Sequence, residues 1–274
     1  MSYRLSTALF AAPASAAARA AELAAYCMAP PPGAWPPSWK VHYVAEADST
    51  QDLAHAAAAA GAPHGSVYVA DWQRAGRGRQ GRSWQAPPAT SLLFSVLVRE
   101  TRLPPFAQTA VCTLALCEVL EQLGLAPQIK WPNDVLLRER KVAGVLTERV
   151  SGAEPPYQVI GIGLNVNYGT AREALPATAT ALDWELGRPL ARGPLLAALL
   201  HAIAPLLAQP ALAWETRLYR AWLRRLWRHR QTVRLALGET VVEGRVEGAA
   251  VDGTLLLRLP DGALRRITVG DVLL

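Results

Sequence analysis

The sequence predicts an α+β protein in which a mixed, largely antiparallel sheet carries helices and a small β-barrel follows at the C-terminal end. Three features lead there. Helical and strand-like spacing alternate through 41–230, and the strands of the second half succeed one another in hairpin fashion. Beyond Gln231 the composition changes, and Gly238, Gly248, Gly253 and Gly262 punctuate five short apolar runs. The expected organisation is an N-terminal appendage with a Pro-rich linker at 1–40, a main domain at 41–230 and a small barrel at 231–274.

Arg4 and the Ala-rich run after it weakly resemble a secretory signal, but Ala is less apolar than the residues of such signals. Arg19 and Glu22 fit an Ala-rich helix or a frayed end better. Five prolines between 30 and 39 exclude a helix there. An extended segment at 41–44 leads to a helix over 51–60, with Ser49 and Thr50 as its cap, and then to a strand over 66–70. A Gly/Arg-rich loop separates this strand from another at 92–98. A long apolar helix over 106–123 precedes strands at 127–131, 135–137, 142–148 and 157–165. Helices are expected over 193–208 and 211–228. In the second, Trp214, Leu218, Trp222 and Leu226 repeat every four residues and leave a basic face to solvent.

Composition narrows the class. A chain of 274 residues with 51% hydrophobic and 18% charged residues can bury a substantial core, so global disorder is excluded. No uninterrupted apolar run reaches the ~20 residues of a membrane-spanning helix. Three scattered cysteines form neither a disulfide framework nor a zinc motif, which makes a reducing, cytoplasmic setting the expectation. Net charge of +6 and a sequence pI near 9.5 favour anionic partners, with phosphates of a nucleotide and of nucleic acid both qualifying.

Three segments carry chemistry. In Gly76-Arg77-Gly78-Arg79-Gln80-Gly81-Arg82 the glycines allow close backbone approach, and the clustered guanidiniums repel one another unless an anion lies among them. Such a loop is either a phosphate-gripping flap or a solvated or nucleic-acid-binding basic tract; the flanking strands favour the flap. A flap of this kind is expected to be mobile when empty. The second segment, Lys130-Trp131-Pro132-Asn133-Asp134, is followed by Lys141 at the start of a strand, where an ammonium can enter a site or remain solvated. The third, Gly161-Ile162-Gly163-Leu164-Asn165-Val166-Asn167, ends a strand with glycines and two asparagines but lacks the context of a dinucleotide fingerprint. The five histidines have no ligand spacing, and no metal-ligating residues are nominated.

With Ser49-Thr50-Gln51 ahead of them, these segments resemble, in order, the motifs of the bacterial biotin protein ligases, or biotin-[acetyl-CoA-carboxylase] ligases. The pattern is a Ser-Thr-Asn/Gln start, a GRGRxGR loop, KWPND, a Lys-x-x-Gly strand ending in Glu, and a G-x-G-x-N-x-N strand. The resemblance covers about 41–274. It implies a biotin/lipoate ligase-like catalytic domain with an SH3-like C-terminal barrel. Lipoate ligases of the same superfamily run equivalent chemistry, but the GRGRQGR loop and KWPND favour biotin.

The implied activity uses ATP and Mg²⁺ to convert biotin to biotinyl-5′-AMP with release of pyrophosphate, then transfers biotin to a lysine of the biotin carboxyl carrier protein of acetyl-CoA carboxylase. By the resemblance, Ser49, Thr50, Gln51, Gln73, Gly76, Arg77, Gly78, Arg79, Trp84, Lys141 and Gly163 would contact biotin. Arg79, Arg82, Asn133 and Asn165 would contact the nucleotide, and Lys141, Arg79 and Asp134 would serve catalysis. Asp134 is a candidate proton acceptor, a magnesium ligand or a lysine-orienting group. Trp184 does not align as an adenine-stacking residue. About 40 residues precede the body and prolines fill the last part of them, so the expectation is a form without a helix-turn-helix repressor domain, with neither DNA nor membrane as partner.

Overall fold

The computed structural model describes residues 7–99, 101–153 and 156–273; expectations touching residues 1–6, 100, 154–155 and 274 lie outside them. In chain order the main elements are α1 (Ala16–Met28), β1 (Lys40–Ala47), α2 (Thr50–Ala59), β2 (Ser66–Gln73), β3 (Ser91–Val98), α3 (Pro105–Gln122), β4 (Gln128–Lys130), β5 (Asp134–Leu137), β6 (Arg140–Val150) and β7 (Tyr157–Asn165). Then come α4 (Leu182–Leu186), α5 (Arg192–Leu207), α6 (Ala211–Ala213), a π-helical turn at Trp214–Leu218, α7 (Tyr219–Arg224) and the strands β8 (Thr232–Leu237), β9 (Thr240–Ala249), β10 (Leu255–Arg258), β11 (Leu264–Ile267) and β12 (Asp271–Val272).

Strands β1 to β7 form one sheet in the order β1-β2-β3-β7-β6-β5-β4. The β1–β2 pair, joined through α2, is parallel and the other pairs are antiparallel, so the sheet is mixed and largely antiparallel as expected. Period-two alternation decides what each face holds. On β3, Leu92, Phe94, Val96 and Val98 enter the main core, which also takes in apolar residues of α3 and α5. The intervening Leu97 joins the smaller cluster with Ala54 and Ala58 of α2. β7 alternates likewise: Ile160, Ile162 and Leu164 face the main core, while Val159 joins the α2 cluster. Gly161 and Gly163 therefore share the α2 face, where the absence of side chains leaves room above the sheet.

The chain from Thr7 to Trp39 is not a detached appendage. Leu9 and Leu23 are buried in the main core beside Cys27 and Trp39. The Glu22 carboxylate accepts the backbone N–H groups of Arg192 (3.1 Å) and Gly193 (3.0 Å) at the start of α5, where helix N–H groups lack partners. Arg192 is fully buried; it donates to the carbonyls of Ser91 (2.8 Å) and Arg19 (3.1 Å) and pairs with Asp71. A Cβ on Gly193 would strike the Tyr26 ring, so this glycine lets α1 close on α5. The Pro-rich stretch stops the helix, as expected, without loosening the tertiary packing on either side of it.

The helix expected over 211–228 ends at Arg224. The Ile129 N–H bonds the Arg225 carbonyl (2.7 Å) and the Trp227 N–H bonds the Ile129 carbonyl (2.8 Å), so the chain runs on beside β4. Trp214, Leu218, Trp222 and Leu226 are all buried. Part of the basic face is paired: Arg225 grips Glu121 with two hydrogen bonds of 2.7 and 2.8 Å, and Arg228 meets Glu139 at 2.7 Å.

β8 to β12 form a separate antiparallel sheet in the order β11-β10-β9-β8-β12, the small C-terminal unit expected from the turn glycines. Its β9–β10 turn is held to the body by Trp131 Nε1 donating to the Gly253 carbonyl (2.7 Å), Trp214 Nε1 to Val251 (2.9 Å) and the Tyr219 hydroxyl to Ala249. Among the described residues no single helix is long and apolar enough to cross a membrane.

Candidate active site

The glycine trough on the α2 face of the large sheet is the floor of a cavity. Gly163 lies opposite Leu93 on β3 and Gly144 on β6, and Gly161 lies opposite Ser95 and Leu146. The indole of Trp84 fills the first row: a Cβ on Gly163 would lie 2.5 Å from that ring and one on Gly144 3.2 Å from it. Gln51 lies over the second row, where a Cβ on Gly161 would approach its side chain to 3.1 Å.

The N-terminus of α2 forms one end. Ser49 caps the helix by accepting the Gln51 N–H (3.2 Å), the Thr50 N–H donates to Gln73 Oε1 (2.7 Å), and the Thr50 and Ser95 hydroxyls meet at 2.8 Å. Gln51 Nε2 donates to the Leu146 carbonyl (3.0 Å), whereas Gln51 Oε1 and Trp84 Nε1 are buried without hydrogen-bond partners. Such groups are costly unless something fills the cavity and satisfies them.

Cations gather at the other end. Lys141 Nζ lies 2.7 Å from Asp134 Oδ1 and 5.3 Å from the centre of a Trp84 ring, so the lysine projects into the cavity with a carboxylate and an indole fixing its direction. Asn133 is held by donating to the Val145 carbonyl (2.6 Å), and its Oδ1 accepts from Arg79 at 3.3 Å. Arg82 reaches Asp271 Oδ2 at 2.8 Å, and Arg79 comes within 4.0 Å of Oδ1. Burial pushes the Arg79 guanidinium below its ordinary value, with Asp271 and Asp134 opposing the shift. Lys130 behind the site is also pushed down by burial, with Asp134 and Asp271 opposing. Arg77 turns outward and pairs with Asp52 of α2 and Glu148 of β6, the latter also 2.8 Å from His55.

The structure brings Ser49, Thr50, Gln51, Gln73, Arg77, Gly78, Arg79, Arg82, Trp84, Asn133, Asp134, Lys141 and Gly163 to the lining of one cavity. Two expected positions lie elsewhere. Asn165 is buried and donates to the Thr180 carbonyl (3.0 Å), while its Oδ1 accepts from Ser91 (3.5 Å) and Tyr168 (3.4 Å), so it braces β7 against the following loop. Gly76 lies behind the lining, where a Cβ would strike the Trp84 carbonyl and the Gln73 amide. Trp184 donates to the Gly169 carbonyl (2.7 Å) and carries Arg172 over its ring at 4.6 Å.

Sequence reasoning missed Asp271, Leu93, Gly144 and Gly161 in the lining. The glycines stand inside the motifs already quoted and could have been found from them. Asp271 arrives from the second sheet and has no local signal. Among the described residues no group of three or more His, Cys, Asp or Glu side chains could hold a metal ion. Magnesium carried on nucleotide phosphates needs one or two protein carboxylates, a requirement that Asp134 and Asp271 fit.

Residues 43–165 match the biotin/lipoate A/B protein ligase family, and residues 231–274 match the biotin protein ligase C-terminal domain. The biotin-[acetyl-CoA-carboxylase] ligase of Paracoccus denitrificans is 34% identical over 72% of this chain and 86% of its own. The bifunctional ligase/repressor BirA of Escherichia coli is 32% identical over 76% of this chain and 66% of its own, and that of Bacillus subtilis 36% over 53% and 46%. The chain thus spans about half the length of the Bacillus relative. Among solved structures, the biotin protein ligase of Aquifex aeolicus in complex with biotin and ATP superposes with a TM-score of 0.71 at 29% identity, covering 85% of this chain and 97% of that one.

Proposed function

The chain belongs to the biotin protein ligase family, and from that premise we propose that it is an ATP-dependent ligase that activates biotin and attaches it to a carrier-protein lysine. The observation that carries the reading is the polarity of the cavity. One end offers a buried, unpartnered acceptor, Gln51 Oε1, while Lys141 and Arg79 converge at the other. Biotin has the matching polarity, with ureido N–H donors at one end and a carboxylate at the other, and an apolar middle that suits the Trp84 indole.

In the first step a biotin carboxylate oxygen attacks the α-phosphorus of ATP, the bond to the β-phosphate oxygen breaks, and pyrophosphate leaves with the electron pair. Both reactants are anionic, so catalysis rests on positioning and charge neutralisation. Lys141 faces the carboxylate and α-phosphate, with Asp134 and Trp84 holding its direction. Arg79 and Arg82 face the phosphates, and binding draws them from Asp271. Magnesium on the phosphates would neutralise further charge beside Asp134 and Asp271. In this reading Ser49, Thr50, Gln51 and Gln73 hold the ureido end, and the 76–82 loop excludes water from biotinyl-5′-AMP, a mixed anhydride that water would destroy.

In the second step a lysine amine attacks the acyl carbon and AMP leaves. The acceptor in this reading is a biotin carboxyl carrier domain. The deciding experiment is mass spectrometry of the protein after incubation with biotin, ATP and Mg²⁺. Retained biotinyl-AMP and biotin-dependent pyrophosphate release are expected. Activity with lipoate alone, or salt-sensitive polynucleotide binding without pyrophosphate release, would overturn the reading.

A further inference from the structure

Lys141 is fixed twice, and the second fixture lies outside the cavity. Asp134 and Trp84 direct its ammonium, while its backbone is bridged to the segment between β7 and α4. The Lys141 N–H donates to the Thr178 carbonyl (2.8 Å), and the Thr180 N–H donates to the Lys141 carbonyl (2.9 Å). Behind this bridge the Glu185 carboxylate of α4 gathers three side chains. Its Oε1 accepts from the Thr180 hydroxyl (2.6 Å) and from Arg140 (2.8 Å), and Arg138 lies 3.4 Å from Oε2. The Glu185 side chain is only 2% exposed and Thr180 is fully buried, so loss of a partner here is not made good by water. The Thr180 carbonyl is held in turn by Asn165 Nδ2 at 3.0 Å.

The hairpin that delivers Lys141 needs such support. Arg138 and Glu139 in the β5–β6 turn have φ of 47° and 62°, left-handed values that residues other than glycine rarely adopt. Arg138 and Arg140 reach Glu185 and Glu139 reaches Arg228, so the turn is held from outside itself. The register between β5 and β6 also shifts beside Lys141: Leu136 lies opposite Lys141 and Val135 opposite Ala143, which leaves Val142 as an extra residue. A bulge of this kind re-aims the neighbouring side chains. With a strained turn on one side and a bulge on the other, the strand alone does not fix where Lys141 points.

We propose that Glu185 and Thr180 are positioning residues for Lys141, setting the backbone from which its ammonium projects; the inference rests on the ligase reading above. Glu185 works through Arg138 and Arg140, and Thr180 through the bridge to Lys141 itself. Neither side chain is among the residues lining the cavity. Their effect passes through the lysine, whose long stem turns a small backbone rotation into a displacement of its ammonium. A misplacement of about 1 Å costs on the order of 10² in rate.

Thr180→Val keeps the volume and removes the hydroxyl, Thr180→Ser keeps the hydroxyl, and Glu185→Gln keeps the shape and removes the charge. Thr180→Val and Glu185→Gln are expected to slow biotin-dependent pyrophosphate release at least tenfold, and Thr180→Ser less than threefold. Biotin methyl ester lacks the charged carboxylate that Lys141 faces and so reports on the ureido end; its affinity by calorimetry is expected to change less than twofold. In a Lys141→Ala protein the same two substitutions should cost less than twofold further, because the group they position is gone. A loss of the original size in that background, or a matching loss of ester affinity, would overturn positioning and leave the segment a structural cover. Unchanged release in Thr180→Val would overturn it as well. If the unmutated protein releases no pyrophosphate with biotin, ATP and Mg²⁺, the ligase reading itself fails, and that result is distinct from each of the others.

Discussion

At the scale of single residues, the cavity works by pairing each charged or bulky group with a partner that fixes its direction. Lys141 is the clearest case, because a lysine at the mouth of a strand is otherwise free to point into solvent. Asp134 at 2.7 Å and the Trp84 ring remove that freedom. Lys141→Ala is expected to slow biotinyl-AMP formation by about 10² or more, measured as biotin-dependent pyrophosphate release, with little change in melting temperature. A rate close to wild type would make it a solvated surface lysine. Gly163 makes the complementary point. A methyl there would lie 2.5 Å from the Trp84 ring, so Gly163→Ala must displace the indole from its row. Biotin affinity by calorimetry is expected to fall at least tenfold. This position is legible from the G-x-G motif, whereas the role of Asn165 is not, because an amide at a strand end is equally suited to bracing a loop.

At the scale of elements, the Gly/Arg loop is tied down from two sides. Arg77 is latched to α2 and β6 through Asp52 and Glu148, while Arg82 is latched to β12 through Asp271. Exposed ion pairs contribute little each, about 0–1 kcal/mol, so the tethers can exchange readily for ligand phosphates. Limited trypsin is expected to cut first within 74–82, and biotin with ATP to slow that cut far more than cuts elsewhere. Replacing Asp52 and Glu148 by Asn and Gln should speed the cut in the absence of ligands. Equal cleavage with and without ligands, or protection by polynucleotide instead, would count against a flap. Sequence revealed the loop and the strands around it, since glycine and arginine clusters are local signals. It did not reveal the latches, whose carboxylates are separated from the arginines by tens or hundreds of residues along the chain.

At the scale of the molecule, the same distinction between local and distant signals explains why the contacts that tie the two ends of the chain to the body are not legible in the sequence. The strands of the main sheet were legible because period-two alternation is written locally, but the packing of α1 depends on Glu22, Arg192 and Asp71 meeting from three separate segments. Asp71→Ala would leave the fully buried Arg192 without its carboxylate and is expected to cost about 3–5 kcal/mol in chemical denaturation. The C-terminal unit reads from the sequence as a small barrel after the main domain, and its contacts tie it to the KWPND segment and to the cavity. Trp131, inside the KWPND segment, donates to the Gly253 carbonyl, and Trp214 and Tyr219 reach the same turn. Deleting 231–274 strips these acceptors and removes Asp271 from the cavity, leaving three aromatic polar groups without partners. Both half-reactions are therefore expected to fail together. Trp131→Phe offers the gentler test, since it keeps a ring and deletes only the donor: the KM for ATP should rise with a smaller change for biotin, because Asn133 and Asp134 follow Trp131 directly while the ureido end is built from α2. A variant with unchanged constants for both substrates would show that the C-terminal turn merely covers the body and does not set the position of KWPND.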